Sequence, residues 1–268
     1  MNIDIQKYDF DFLSSSSVDY QKELEFVRSE KKILQSLQNE EGANDLWRVE
    51  QRILIFYEYT ELFLLLKKGD FYKAWCKAET IELAIENLSI NYPEDSSITQ
   101  FILLRIHKLQ QLYPYRLFTS TEIVVKECEC SICGTKLTPR KHCNHQIRRV
   151  YNGEMCRHIV TEANLLGISI VTNPEHKYTV LFAKSNDGSK TDQYDYSTVR
   201  TLLTLWKYAF QHWDYLTRVS YRPKGKKKIN PDSFCPCGSG KLYKDCCLDK
   251  PGIRHVHITF FYDNQWRC

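Results

Sequence analysis

Apolar positions over residues 18–38 (Leu24, Phe26, Val27, Ile33, Leu34 and Leu37) recur at mixed three- and four-residue steps, which predicts a helix with one buried stripe. The sequence EEGAND at 40–45 reads as a break, with Asp45 as the N-cap of the next helix. Residues 46–68 are rich in Leu, Ile and aromatics on most faces, so that helix belongs at the centre of a bundle. Gly69-Asp70 turns the chain into FYKAWCKAETIELAIENL, and Pro93-Glu94-Asp95 opens a helix over 98–112 that Pro114 ends.

Beyond residue 118 the pattern changes. The segments QIRRVY and EMCRHIV flank Asn152-Gly153, the signature of a two-residue hairpin turn. Residues 165–182 are β-prone, with a break at Asn173-Pro174. Over 198–219, Val199, Leu202, Leu203, Trp206, Ala209, Phe210, Trp213 and Leu216 form an apolar stripe that predicts one long helix. Residues 252–262 alternate like a strand and place His255 and His257 on one face. The expected fold class is α+β: a helical bundle over 1–118, a hairpin-bearing region with a long helix over 119–220, a linker over 221–233 and a small module over 234–268.

The 268 residues include 43% hydrophobic side chains, enough for a core, and the longest apolar runs fall well short of the ~20 residues a bilayer span needs. The net charge of +4 is unevenly spread. Residues 1–120 hold 14 Lys/Arg against 19 Asp/Glu, whereas 121–268 hold 23 against 14, a local excess of nine cations. Ten of the 11 cysteines lie after residue 127. An acidic N-terminus without an apolar core segment points to the cytoplasm, where clustered thiols serve as metal ligands rather than disulfides. Nothing in 1–118 carries recognisable chemistry.

The first cluster lies in CECSICGTKLTPRKHCNHQIRRVYNGEMCRHIV, from Cys128. Cys130-Ser-Ile-Cys133-Gly134 has the form of a zinc knuckle, and zinc takes four N/S donors, commonly as two close pairs. The second pair is either Cys143/His145 or Cys156/His158. If the hairpin strands run straight, Arg149 faces Cys156 and His145 faces Val160, which sets Cys156 roughly 13 Å from His145 at ~3.3 Å per residue. The expected set is therefore Cys130, Cys133, Cys143 and His145, with Cys156 in reserve and His142 and Cys128 as weaker candidates.

The second cluster is CPCGSGKLYKDCC at 235–247, two cysteine pairs around a Gly-Ser-Gly-Lys loop. It lacks the first Gly, the Ser/Thr and the preceding strand of a phosphate loop. These 13 residues closely resemble the SEC-C zinc motif, named for the C-terminus of the SecA translocation ATPase and found as a tail on many bacterial proteins. The resemblance covers both Cys pairs, Pro236, Gly238-Ser239-Gly240, Lys241 and Tyr243. It implies Cys235, Cys237, Cys246 and Cys247 as zinc ligands, the fourth position being Cys or His among members. It also implies a structural metal and contact with another protein. The turn's N–H groups, Lys241 and Lys244 are expected to offset the charge of four thiolates.

Two closed four-donor sites argue for structural rather than catalytic zinc, two ions per chain. The expected function is a zinc-binding adaptor whose tail contacts a partner protein. The alternative is a nucleic-acid-binding protein using the basic half, its zinc ribbon and Arg222, Lys224, Lys226, Lys227 and Lys228 before the tail.

Overall fold

The computed structural model describes residues 4–138, 140–184, 190–225 and 228–262. Helices α1 (Phe10–Leu13), α2 (Tyr20–Ser36), α3 (Glu40–Lys68), α4 (Phe71–Asn91) and α5 (Ser96–Leu112) come first. Strands β1 (Phe118–Cys130), β2 (Lys136–Leu137), β3 (Val150–Tyr151), β4 (Glu154–Met155), β5 (His158–Val171), β6 (Ala183–Lys184) and β7 (Lys190–Thr191) follow. The chain ends in α6 (Ser197–Leu205), β8 (Trp213–Arg222) and β9 (Ile253–Tyr262). It divides into two compact units, residues 1–204 with 208–210, and 205–207 with 211–268.

In the first unit α3 packs on α2, α4 and α5, and Val49, Ile53, Phe56, Tyr59 and Leu62 on it are fully buried, as the all-round apolar pattern requires. The expected break at 40–45 is absent. Asn39 caps α3 by accepting the Gly42 N–H at 3.1 Å, and Glu40 and Glu41 in the first turn complement the helix dipole, so the chain is helical from Glu40 onward. Asp95, 1% exposed, accepts Arg52 Nε at 2.8 Å and Arg48 Nε at 3.0 Å, tying the start of α5 to α3. Arg52 also donates to the Ile5 carbonyl, so the same pair pins the N-terminal segment.

Strands β1 and β5 form an antiparallel ribbon of 13 and 14 residues, from Phe118 opposite Val171 to Cys130 opposite His158. Its register shifts at Glu122/Ile123, Val125/Glu127 and Glu127/Cys128. The helices hold its base. Phe118 is buried and stacks on Trp75 of α4 at 6.3 Å, while Glu79 accepts the N–H groups of Lys177 and Tyr178 just after β5, each at 2.7 Å. The β3–β4 hairpin docks on α2 and α3. The Gly153 carbonyl accepts the buried Lys31 ammonium at 3.0 Å, and the Gly153 N–H donates to Asn44 Oδ1 at 2.7 Å. Asn152 and Gly153 take φ +46° and +75°, and a Cβ on Gly153 would come within 3.0 Å of the Ala43 carbonyl, so only glycine fits this approach.

The long helix expected over 198–219 is two elements. Helix α6 ends at Leu205, and residues 213–222 are strand β8, paired with β9 from Trp213 opposite Tyr262 to Arg222 opposite Ile253. The sequence WDYLTRVSYR also alternates with period two, and pairing with GIRHVHITFFY satisfies backbone groups along both strands. That partner overrides the helical stripe and leaves Leu216 58% exposed.

Replacing Asp95 with Asn is expected to leave the buried Arg52 guanidinium without its carboxylate and to weaken the hold on the half-buried Arg48, costing about 3–5 kcal/mol of unfolding free energy by urea titration. Burial raises the Asp95 pKa, but the hydrogen bonds from Arg52 and Arg48 outweigh it and hold the carboxyl below its ordinary value. Its contribution is therefore present above that ordinary value and is lost as pH falls through the lowered one.

Candidate metal centres

Each cysteine cluster lies at the far end of a long antiparallel strand pair, β1–β5 (with β2 on the outer edge of β1) and β8–β9. The first fills residues 130–157 between β1 and β5. Cys130 is the last residue of β1, and its sulfur accepts the Ile132 N–H at 3.4 Å; its carbonyl accepts the Gly134 N–H at 2.9 Å, which curls Cys133 back beside it. The loop 140–149 then returns Cys143 and His145, so that one donor atom from each of Cys130, Cys133, Cys143 and His145 lies within 4.8 Å of the others. The Cys130 sulfur is 3.7 Å from His145 Nδ1, and the His145 ring meets Tyr151 edge-on at 4.7 Å.

Cys156 sits closer than a straight hairpin allows. Arg149 does face it, the Cys156 N–H donating to the Arg149 carbonyl at 2.8 Å, but the strand stops there. Arg148 takes φ +69°, where it donates to Asn87 and Glu86 of α4, and the chain bends instead of running on to His145. The Cys156 sulfur consequently lies 3.8 Å from that of Cys130, fully buried, and the 13 Å separation expected from an extended strand does not hold. Cys128, His142 and His158 instead line an adjoining cavity of about 460 Å³.

Burial opposes ionisation of Cys130, but the N–H groups of Cys133 and Ile132 and the thiols of Cys143 and Cys133 bring its pKa down to about 7. Burial pushes the Cys156 thiol up to about 11, with Cys130 adding to the effect. One cluster therefore holds a sulfur ready to ionise and a neighbour held neutral.

The second cluster fills the turn between β8 and β9. The sulfurs of Cys235, Cys237, Cys246 and Cys247 lie within 4.8 Å of one another, with Cys237 to Cys246 at 3.4 Å and Cys246 to Cys247 at 3.8 Å. Tetrahedral Zn–S bonds of about 2.3 Å place sulfurs about 3.8 Å apart, so these spacings fit such an ion. Tyr243 is buried against Cys235 and Cys247, with Ile229 and Ile253 packed beside them. The Arg254 N–H points at the Cys247 sulfur at 3.4 Å, whereas Lys244 pairs with Asp232 at 2.7 Å rather than with the thiolates. Burial raises Cys237, yet the Ser239 hydroxyl and the thiols of Cys235 and Cys246 lower it to about 6; burial takes Cys235 up to about 12. A Cβ on Gly252 would come 2.2 Å from the Arg222 carbonyl, so glycine lets the ribbon close against the module.

His255 and His257 take no part in this cluster. They lie in β9 opposite Ser220 and Arg218, and Arg222 Nη2 donates to His255 Nε2 at 2.6 Å. Lys224 donates to the Leu248 carbonyl at 2.6 Å and Lys228 is exposed; Lys226 and Lys227 lie outside the described residues.

Residues 235–249 match the model of the family described as "SEC-C motif". The chain is also similar to the UPF0225 protein plu2503 of Photorhabdus laumondii subsp. laumondii, 51% identical over 37 residues. That segment is 14% of this chain and 23% of the relative, so the two share a module rather than a whole protein. No solved structure matches the chain. The chain thus has a SEC-C motif and two clusters able to hold metal ions, and among the described residues no helix is long and apolar enough to cross a membrane.

Changing Cys235 to Ser is expected to lower bound metal from two to one per chain by mass spectrometry under native conditions, leaving the far-UV helical signal unchanged. Changing Cys130 to Ser is expected to remove the other ion and to lower the melting temperature of the first unit. Equal metal content in wild type and the Cys235→Ser protein would contradict the second centre.

Proposed function

We propose that this chain is a zinc-stabilised adaptor of a bacterial cytoplasm. One structural Zn²⁺ is held by Cys130, Cys133, Cys143 and His145, with Cys156 as the reserve donor. The other is held by Cys235, Cys237, Cys246 and Cys247, and the module over 234–268 contacts a partner protein. The observation that carries this reading is the position of both donor sets. Each supplies four donors, which fills a tetrahedral zinc and leaves no site for a reacting water, and each closes the end of a ribbon whose sides are exposed. Metal so placed fixes a shape for recognition. The resemblance to SecA-type tails, which meet other proteins, supports a protein as the partner.

The adaptor reading is tested with the zinc-loaded chain and its Cys246→Ser form as immobilised baits. Recovery of one and the same protein at fixed stoichiometry, at least tenfold less on the variant, is the expected result. Equal recovery on both baits would overturn it.

A second reading has its own observation. One face of the β8–β9 ribbon carries Arg218, Arg222 and His257, with Lys224 beyond its end, an arrangement suited to phosphate groups. On this reading, binding of labelled RNA weakens by about 20-fold between 50 and 200 mM salt if about three phosphates are contacted, and the slope flattens when Arg218 and Arg222 become Ala. Fluorescence anisotropy at the two salt concentrations measures this, and no binding at the lower one removes the reading.

A further inference from the structure

The β1–β5 ribbon has two unlike faces. Its register places Thr119, Thr121, Ile123 and Val125 of β1 on the same side as Ile170, Ile168, Leu165 and Ala163 of β5. Leu166 is the extra residue at the register shift between Glu122 and Ile123, where a bulge leaves it beside Leu165. Over these positions the face carries no charged side chain. Glu122, Glu127, Glu129 and Glu162 project from the opposite face. Phe118 belongs to that opposite face and is buried against Trp75 of α4, so at its base the ribbon turns its apolar face away from the helices.

Ile123, Val125, Leu165, Leu166, Ile168 and Ile170 are 45–66% exposed, about 700 Å² of residue surface with the backbone included, at or above the ~300–600 Å² of the largest patch on most monomers. Two such faces pressed together bury about 1,400 Å², within the range of a stable specific interface.

We propose that two copies of this chain pack these faces against each other and form a four-stranded sandwich, a homodimer built on the β1–β5 ribbon. A second copy is the occupant because its face has the same length, the same bulge-induced bend and the same lack of charge. Packed sheets are stacked about 10 Å apart with their strands near-aligned, a distance that aliphatic side chains from both sides fill. The stack leaves the glutamates of both ribbons on the outside, in water. Pairing edge to edge would satisfy strand hydrogen bonds but leave the aliphatic face wet, so the contact is face to face.

Sedimentation equilibrium of the zinc-loaded full chain at about 50 µM, a concentration that populates even micromolar dimers, tests this. The expected mass is twice the 31.8 kDa of one chain for wild type and for Val124→Glu, which lies on the glutamate-bearing face. For Ile168→Glu the mass is expected to halve. A monomeric wild type, a dimer that survives Ile168→Glu, or a dimer lost equally in Val124→Glu would overturn the proposal. If Ile168→Glu loses its circular dichroism signal, a photo-crosslinking residue decides instead. Placed at Thr121 it is expected to yield covalent dimer, and at Ser120 at least tenfold less; equal yields would refute the packing.

Discussion

Two strands hydrogen-bonded only to each other leave both faces and both outer edges in water, and such a ribbon is marginal unless something holds its ends. That constraint shapes this molecule. Both long ribbons, β8–β9 and β1–β5 with the two-residue β2 added along the edge of β1, are largely exposed along their length, and each has a cysteine-rich cluster at its far end. Four converging donors able to hold an ion stand at the ribbon end where a layer of side chains stands elsewhere. In the C-terminal module, among the described residues, Tyr243, Ile229 and Ile253 pack with the cysteines themselves into one small cluster.

The first ribbon has a second support. Its base is stacked on Trp75 and its hairpin is hydrogen-bonded to Lys31, Asn44 and Asn87. Lys31 is buried, and its ammonium is shared between Glu50 of α3 at 2.8 Å and the Gly153 carbonyl. A buried amine of this kind is tolerable only with both acceptors in place, so it couples the position of the hairpin to the packing of α2 on α3. The first candidate centre is thereby held by the helical bundle although none of its four potential donors lies on a helix. Asp95 between Arg48 and Arg52 plays the corresponding part at the N-terminal side of the bundle.

Much of this was readable in the chain. Helices α2 to α5, the Asn152-Gly153 turn and the strand at 253–262 follow from periodicity and turn chemistry, which act over a few residues and need no distant partner. No break falls at 40–45, because Asn39, one residue earlier, caps the helix. The helix expected over 198–219 gives way to a helix and a strand because the segment carries two periodicities at once. The hydrogen bonds of β9, more than thirty residues away, decided between them. The long strand β1 was not legible either: its apolar face is not buried in one chain, so the segment lacks the contrast by which a half-buried strand is recognised.

By itself the sequence determined the helices, the turns and the donor types, along with the SEC-C match, since each depends on local spacing and on the chemistry of individual side chains. Only the tertiary structure decided the surroundings of the first centre. Cys156 stands 3.8 Å from Cys130 because Arg148 adopts a left-handed backbone to reach Asn87 and Glu86 on a helix some sixty residues away, and no local rule contains that contact. It also decided the split of the β1–β5 ribbon into an aliphatic face and a glutamate face. That split depends on register, and register is set by which residues two distant strands place opposite one another.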